Sequence, residues 1–166
     1  MSLLPPEKFV SACSALPLVS IDWVVTNSRR ELLLGLRNNA PARGWWFTPG
    51  GRIRKNEALA AAKQRIALDE LGLPAALLYS ARLMGAWDHF YSDSAFDPDV
   101  STHYVNLPHW LAIRDDNASS LTLPAGMTEQ HGRWQWLPLD RAAKDETVHP
   151  SDFKVPERPE PVSLTM

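Results

Sequence analysis

The sequence predicts an α/β fold in which a mixed β-sheet is sandwiched between α-helices, and three observations predict it. Apolar and β-branched residues fill 18–26 and 31–37 on either side of a polar turn, which indicates a β-hairpin. Strong helix formers fill 58–71, which indicates a central helix. More strand-like segments and a second helix over 139–143 follow it. Strands around one helix, with another helix later, give a layered α/β sandwich.

The remaining elements follow from the same signals of periodicity and turn residues. In chain order they are a helix over 7–16, a loop over 38–44, a short aromatic strand over 45–48, a strand over 78–90, a polar loop over 91–101, a strand over 103–113, a last strand over 128–136 and an extended tail from 148. The chain, 1–166, is expected to form one domain whose tail covers about 150–166.

Composition and charge restrict the class of protein. Apolar residues make up 45% and charged residues 22% of the chain, which is ordinary for a globular domain. The net charge of −2 gives no basic surface, so a nucleic-acid partner is not expected. The single cysteine, Cys13, excludes an internal disulfide and a multi-cysteine metal site. No apolar run approaches a membrane span, and the start lacks a signal-peptide pattern, so no membrane contact and a cytoplasmic location are expected.

The segment 50–73, GGRIRKNEALAAAKQRIALDELGL, is a loop followed by a helix. Pro49 and the two glycines after it break regular structure. Asn56 is the expected N-cap, and Glu57 suits the positive start of the helix. Gly72, followed by a proline two residues later, ends it. Read without a family, the segment is also compatible with an amphipathic surface helix with ordinary salt pairs.

This segment resembles the Nudix box, G-x5-E-x7-R-E-U-x-E-E-x-G-U, where U is an aliphatic residue. The matching positions are Gly51, Glu57, Arg65, Ala67, Glu70, Gly72 and Leu73. Asp69 stands where the box has the first of two paired glutamates, and Ile66 stands where the box has the glutamate after its arginine. The second departure removes a carboxylate from the place where the family binds metal.

Beyond the box, the chain resembles GDP-mannose mannosyl hydrolases, a divergent Nudix branch. The resemblance covers roughly residues 5–150, and three stretches carry it: PLVSIDWVVTNSRRELLLGLRNNAPARGWWFTPGGR (17–52), STHYVNLP (101–108) and EQH (129–131). A box with a non-carboxylate after its arginine is the mark of that branch. The resemblance implies hydrolysis of the glycosidic C–O bond of a GDP-sugar with inversion, in a homodimer, with one Mg²⁺ per subunit for which Mn²⁺ can substitute.

The resemblance also implies a set of metal ligands. Glu70, Gln130 and the carbonyl of Gly50 would bind Mg²⁺, an all-oxygen set that suits this ion. Asp69 would be a helper beside Glu70. Arg65 would orient the carboxylates without touching the metal.

The same resemblance implies roles toward the substrate. Arg37 and Arg52 would neutralise charge on the departing GDP, which a planar guanidinium does well. Tyr104 would donate a hydrogen bond to that leaving group, Asp22 would lie near the metal and the basic groups, and His89 would touch the substrate.

His131 would be the general base, because imidazole titrates near neutral pH. Each role has a plainer alternative: His131 as a structural histidine, and Arg37 as a surface charge at the end of a strand. The other histidines, at 103, 109 and 149, are expected to be structural or exposed. Most of the 7 tryptophans are expected to pack in the core.

Three functions stay open on the sequence. The first is a GDP-sugar glycosyl hydrolase, with GDP-mannose before GDP-glucose. The second is a conventional Nudix pyrophosphatase that acts on a nucleotide sugar, and the third is a non-catalytic module that binds a nucleotide. The products distinguish the three functions. The glycosyl hydrolase releases free sugar and GDP, the pyrophosphatase releases sugar phosphate and GMP, and the binding module releases no product.

Overall fold

The computed structural model describes residues 4–114, 121–123 and 131–149. Its helices are α1 (Pro6–Ala15), α2 (Leu59–Leu71) and the short α3 (Leu139–Ala142), with a 3-10 helix over Ala75–Ser80. Its strands are β1 (Leu18–Thr26), β2 (Glu31–Arg37), β3 (Trp46–Phe47), β4 (Gly50–Arg52), β5 (Arg82–Leu83), β6 (Trp87–Tyr91), β7 (Thr102–Asn106), β8 (His109–Ala112) and β9 (His131–Pro138).

Strand β1 organises the sheet because its two halves pair with different neighbours. The first half, up to Asp22, pairs antiparallel with β4 and parallel with β7, whose other edge holds β6. The second half, from Trp23, pairs parallel with β8 and antiparallel with β2 at its end. Strand β2 pairs with β3 and β9. The sheet is therefore mixed, as predicted.

Two apolar clusters lie on the two faces of the sheet. The larger one contains Ile21 and Trp23 from β1 together with Ile66 and Leu71 from α2. The smaller one joins β1 and β2 to α3, and Val148, which is 2% exposed, closes it. Helix α2 thus covers the sheet on the side opposite α3, which confirms the predicted α/β sandwich.

The start of α2 differs from the expected one. Its N-cap is Ala58, with no side-chain hydrogen bond, and Asn56 instead has a φ of 63° in the preceding turn. The expected Asn56 cap is therefore wrong. Glu57 lies outside the helix, where its carboxylate accepts a hydrogen bond from the Arg54 amide at 2.9 Å.

Two long strands expected from the sequence are each interrupted. The segment 78–90 divides into the end of the 3-10 helix and strands β5 and β6, with Gly85 at a φ of 147° between the strands. The segment 103–113 divides at Leu107 and Pro108, because proline has no N–H to donate to a ladder. Among the described residues, no helix is long and apolar enough to cross a membrane.

Candidate functional site

A cleft of about 480 Å³ opens on one face of the β4–β1–β7–β6 part of the sheet. Alternate residues of a strand point to the same face, so each of these strands contributes polar side chains to the cleft. They are Ser20 and Asp22 from β1, Arg52 from β4, Tyr104 from β7, and His89 and Tyr91 from β6. The cavity is thus lined by Gly50 and by five residues that the sequence assigned to substrate or catalytic roles: Asp22, Arg37, Arg52, His89 and Tyr104.

Asp22 is the buried carboxylate at the floor of this cleft. It is 6% exposed, and its Oδ2 accepts a hydrogen bond of 2.7 Å from Asn106 Nδ2. Burial raises its pKa to about 7, while the Asn106 hydrogen bond and the Arg37 charge oppose the rise. Gly50 lies opposite Asp22 in the ladder, where a side-chain Cβ would collide with Asp22 Oδ1. Glycine at position 50 is therefore what lets the carboxylate reach its place.

Glu70, on α2, is the second buried carboxylate. It is 9% exposed, and its Oε2 has no hydrogen-bond partner among the described residues. Burial raises its pKa to about 7; the charge of Arg37 opposes this rise, and those of Asp69 and Asp22 add to it. The interaction with Asp22 shows that α2 and β1 bring two carboxylates into electrostatic range.

These carboxylates fit a hard divalent cation. Glu70 Oε2 is buried without a hydrogen-bond partner among the described residues, and carboxylate oxygen is a ligand that Mg²⁺ prefers. No group of three or more acidic, histidine or cysteine ligands occurs in the described ranges. Glu70 and the Gly50 carbonyl would therefore need further donors to hold the ion, and the predicted ligand Gln130 lies outside the described residues.

The other two positions of α2 at which the Nudix box has a glutamate, Ile66 and Asp69, do not face the cleft. Ile66 is 1% exposed and belongs to the main core, with Gly51 packed against it. The Asp69 side chain is 52% exposed and pairs with Arg65 at 3.7 Å. Glu70 is thus the one buried carboxylate on the described length of α2.

Four arginines line the cleft, Arg37, Arg43, Arg52 and Arg54, and two of them, Arg37 and Arg52, were assigned to the substrate from the sequence. The guanidinium carbon of Arg52 lies 4.4 Å from the centre of the Phe9 ring, and Arg52 Nη1 is buried without a partner among the residues described. Arg37 donates from Nε to the Pro41 carbonyl at 3.0 Å, which holds the 38–44 loop beside the cleft. Burial raises the pKa of Tyr104, so its hydroxyl remains a neutral donor.

His89 lies in an aromatic wall of the cleft. It is 5% exposed, and burial together with the nearby His149 lowers its pKa to about 4. The His149 ring lies 5.0 Å from Phe47 and 5.5 Å from Tyr91, both of which line the cleft. His149 reaches this place because its amide donates to the Trp46 carbonyl at 3.0 Å.

His131 lies apart from the cleft lining. It is 0% exposed, its ring packs 4.9 Å from Trp134, and a Cβ at Gly35 would collide with its ring. Burial and the charge of Arg37 lower its pKa to about 4; the nearby Gly35 backbone opposes this only weakly, and neither ring nitrogen has a hydrogen-bond partner within the described ranges. The ring is therefore neutral, and its role as a base stays a prediction.

A family model for the NUDIX domain matches residues 16–158 of the chain. The chain belongs to the Nudix family. It is also 39% identical over 114 residues, which is 69% of this chain and 70% of the relative, to the low-salt glycan biosynthesis protein Agl8 of Haloferax volcanii.

Solved structures share the Nudix fold. The MutT protein of Methanosarcina mazei superposes with a TM-score of 0.60 over 81% of this chain and 87% of its own, at 18% identity. The MutT Nudix hydrolase of Burkholderia pseudomallei superposes with a TM-score of 0.58 over 75% of this chain and 85% of its own, at 23% identity. The Nudix domain of Shewanella oneidensis NrtR, complexed with ADP ribose, superposes with a TM-score of 0.56 over 87% of this chain and 90% of its own, at 15% identity. Hydrolysis is the activity of the family, and its members generally use a divalent metal.

The arginine of the Nudix box holds the loop before the helix. Arg65 binds the Glu57 carboxylate through Nε at 2.7 Å and Nη2 at 2.8 Å, and it donates to the Arg52 carbonyl at 3.0 Å. The hydrogen bond from Arg65 lowers the pKa of Glu57 to about 2. This pair fixes the backbone of Arg52, whose side chain lines the cleft.

The sequence reasoning missed several residues in and behind the Nudix cleft, and Ser20, Asn106 and Phe9 are three of them. Ser20 and Asn106 hydrogen-bond to each other below the floor, and Phe9 from α1 packs on Arg52. The signal was present for two of them, because Ser20 alternates with Asp22, and Asn106 alternates with Tyr104 on one face of a strand. Phe9 had no such signal, since nothing local shows where α1 packs.

Proposed function

We propose that this Nudix hydrolase cleaves GDP-mannose, with GDP-glucose as the second candidate, to GDP and free sugar. Water attacks the anomeric carbon, and the configuration inverts. One observation carries the proposal: Ile66 lies in the core, so Glu70 is the single buried carboxylate on the described length of α2.

The reduced carboxylate set bears on which bond breaks. Water attack at phosphorus relies on a nucleophile activated among clustered metals and carboxylates. With Ile66 packed against Gly51, the helix cannot complete such a cluster. A diphosphate can still depart as a leaving group if its growing negative charge is neutralised.

The cleft contains the groups for that neutralisation. Arg52 has a buried Nη1 without a partner in the described residues, and Arg37 supplies a second guanidinium to the same cavity. The neutral Tyr104 hydroxyl donates to the leaving oxygen. When bound, Mg²⁺ (or Mn²⁺ in its place) would hold the diphosphate and stabilise its charge, with Glu70 and the Gly50 carbonyl among its ligands.

The remaining roles concern the sugar and the water. His89 lines the cleft among aromatic rings, a wall that suits the apolar faces of a hexose. Asp22 would lie near the metal and the basic groups, and the charge of Arg37 acts on its pKa. His131 is proposed as the general base, and this role requires an opening on its buried ring that admits water.

The comparisons support a nucleotide sugar as the class of substrate, without distinguishing one sugar from another. The relative from Haloferax volcanii is named for glycan biosynthesis, and the NrtR Nudix domain holds ADP ribose. We also propose a homodimer, following the branch resemblance, and a cytoplasmic location. A sedimentation mass near 18.6 kDa at micromolar concentration would contradict the dimer.

Isotope labelling tests the bond that breaks. The purified protein, with Mg²⁺, is given GDP-mannose in water enriched in heavy oxygen, and the products are examined by mass spectrometry. The label is expected in the free sugar, with unlabelled GDP as the second product. Mannose phosphate and GMP, with label in a phosphate, would establish the conventional pyrophosphatase instead. Binding without turnover would establish the non-catalytic module.

A further inference from the structure

We infer that Asn106 is a positioning residue of the cleft, which fixes the orientation of the Asp22 carboxylate and the His89 ring through its side-chain amide. The effect on catalysis rests on the proposed function, whereas the effect on the two side chains does not. Nothing in the box or its neighbourhood marks this residue, because it lies on β7, far along the chain from α2.

The contacts of Asn106 carry the inference. Its Nδ2 donates to Asp22 Oδ2 at 2.7 Å and lies 3.5 Å from His89 Nε2, and its Oδ1 accepts a hydrogen bond from Ser20 Oγ at 3.2 Å. These partners come from β1 and β6, the strands on either side of β7. One amide therefore links three strands at the floor of the cleft.

Both N–H groups and the carbonyl oxygen of this buried amide have a neighbour that can take a hydrogen bond. Asn106 is 2% exposed, so an unpaired group on it would cost stability. The Ser20 hydroxyl donates to the side-chain carbonyl oxygen of Asn106. The two N–H groups of the Asn106 amide are then directed to Asp22 and His89. An N–H directed at His89 Nε2 makes that nitrogen the acceptor, so the ring proton of neutral His89 is on Nδ1.

The partners distinguish positioning from simple packing. Ser20, Asp22 and His89 all line the cleft, while Asn106 itself lies behind them. An apolar residue would fill the same space without a buried polar group to satisfy. An amide at this position orients the two titratable groups that face the substrate.

The test combines kinetics with a substrate-free measurement. Asn106→Leu keeps the approximate size and removes the hydrogen bonds, and Asn106→Ala removes them without adding a charge beside Asp22. Each is expected to lower kcat by about 10–100-fold with little change in KM, as losses of outer hydrogen-bond partners usually do. If the leucine variant does not fold, the alanine variant answers the same question.

A double-mutant cycle shows whether Asn106 acts through Asp22. In an Asp22→Asn background, replacement of Asn106 is expected to have little further effect on kcat, because the carboxylate it positions is absent. Thr26→Val is the matched control: it removes a partly buried hydrogen bond of 2.9 Å that Trp110 Nε1 donates to Thr26, and neither residue lines the cleft. The control is expected to lower stability and leave kcat unchanged.

The nitrogen chemical shifts of labelled His89 provide the readout that needs no substrate. The proton on Nδ1 is expected in the native protein and a mixture of tautomers in the folded Asn106 variants. If GDP-mannose proves not to be a substrate, this result still stands and the proposed function alone fails. An unchanged His89 tautomer would overturn the inference, as would a kcat within about twofold of the native value or an equal loss in both backgrounds.

Discussion

Ile66 and Glu70 lie one helical turn apart on α2, and both are buried, yet their burial has opposite consequences. Ile66 adds its aliphatic side chain to the core and stabilises the packing of α2 on the sheet. Glu70 loses hydration and leaves Oε2 without a partner in the described residues, which is unfavourable unless a positive group completes it. The chemistry of the cleft therefore depends on what binds Glu70.

Replacement of Glu70 by glutamine tests this dependence. Glu70→Gln is expected to weaken Mg²⁺ binding and to lower turnover strongly, because it removes the one buried carboxylate of α2. Asp69→Asn is the matched control: it makes the same chemical change one residue away, on a side chain that is 52% exposed. Calorimetric titration with Mg²⁺ ranks the two. Equal or reversed losses of affinity would mean that Glu70 is not the principal ligand.

Five of the predicted site residues lie in one cleft, and the sequence marks them because they are polar residues in a strand or loop with a known motif nearby, while their roles stay predictions. Asp22, Arg37, Arg52, His89 and Tyr104 all line the cleft. His131 was assigned by its motif, yet the structure buries it against Gly35, and no local pattern predicts such a contact. Asn106 has a role only through residues from two other strands, so it needed the sheet register.

At the scale of elements, the sequence predicted those strands and helices whose bounds depend on neighbouring residues in the chain. The bounds of β1 and β2 match the expected ranges, because alternation and a polar turn specify both strands. The segments 78–90 and 103–113 were predicted too long. The break at Pro108 shifts the chain from the first half of β1 to the second, and this pairing between distant segments has no local signature.

The C-terminal end of the described chain is expected to stabilise the smaller core. Val148 forms a parallel bridge with Trp46 and is 2% exposed among residues of β1, β2 and α3. Val148→Ala removes two buried carbons and should lower the free energy of unfolding by about 2 kcal/mol. Val19→Ala makes the same change at 39% exposure and should cost much less. Urea denaturation measures both, and similar losses would show that Val148 is not anchored.

At the scale of the whole molecule, the fold buries titratable groups of both kinds, and two of them, Asp22 and His89, line the cleft. Burial raises the pKa of Asp22 and Glu70 to about 7 and lowers that of His89 and His131 to about 4. Burial keeps all four groups neutral over much of the range between these values. Arg37 affects several of them, because its charge favours the ionised carboxylates and opposes the charged imidazoles.

These shifts have opposite signs in their effect on stability. Between about pH 4 and the ordinary histidine pKa of 6.5, the unfolded histidines hold protons that the folded ones do not, so their contribution to stability rises with pH. The folded carboxylates hold protons that unfolded ones release above about pH 4, so their contribution falls as pH rises toward 7. The two effects partly cancel below pH 6.5. His109 and His149, whose pKa values burial also lowers, act with the other histidines.

Above pH 6.5 only the carboxylate effect remains, so the metal-free protein should lose stability between pH 6.5 and about 8. Glu70→Gln should reduce this loss, because glutamine has no proton to release. Asp69→Asn should reduce it less, because it removes only a neighbouring charge that adds to the rise in the Glu70 pKa. Mg²⁺ should also reduce the loss, since a ligand that prefers the folded, ionised carboxylate stabilises that state. Urea denaturation in a chelator, repeated at each pH with and without Mg²⁺, measures all three. If the free energy of unfolding instead stays level or rises above pH 6.5, the two carboxylates are already ionised in the folded protein.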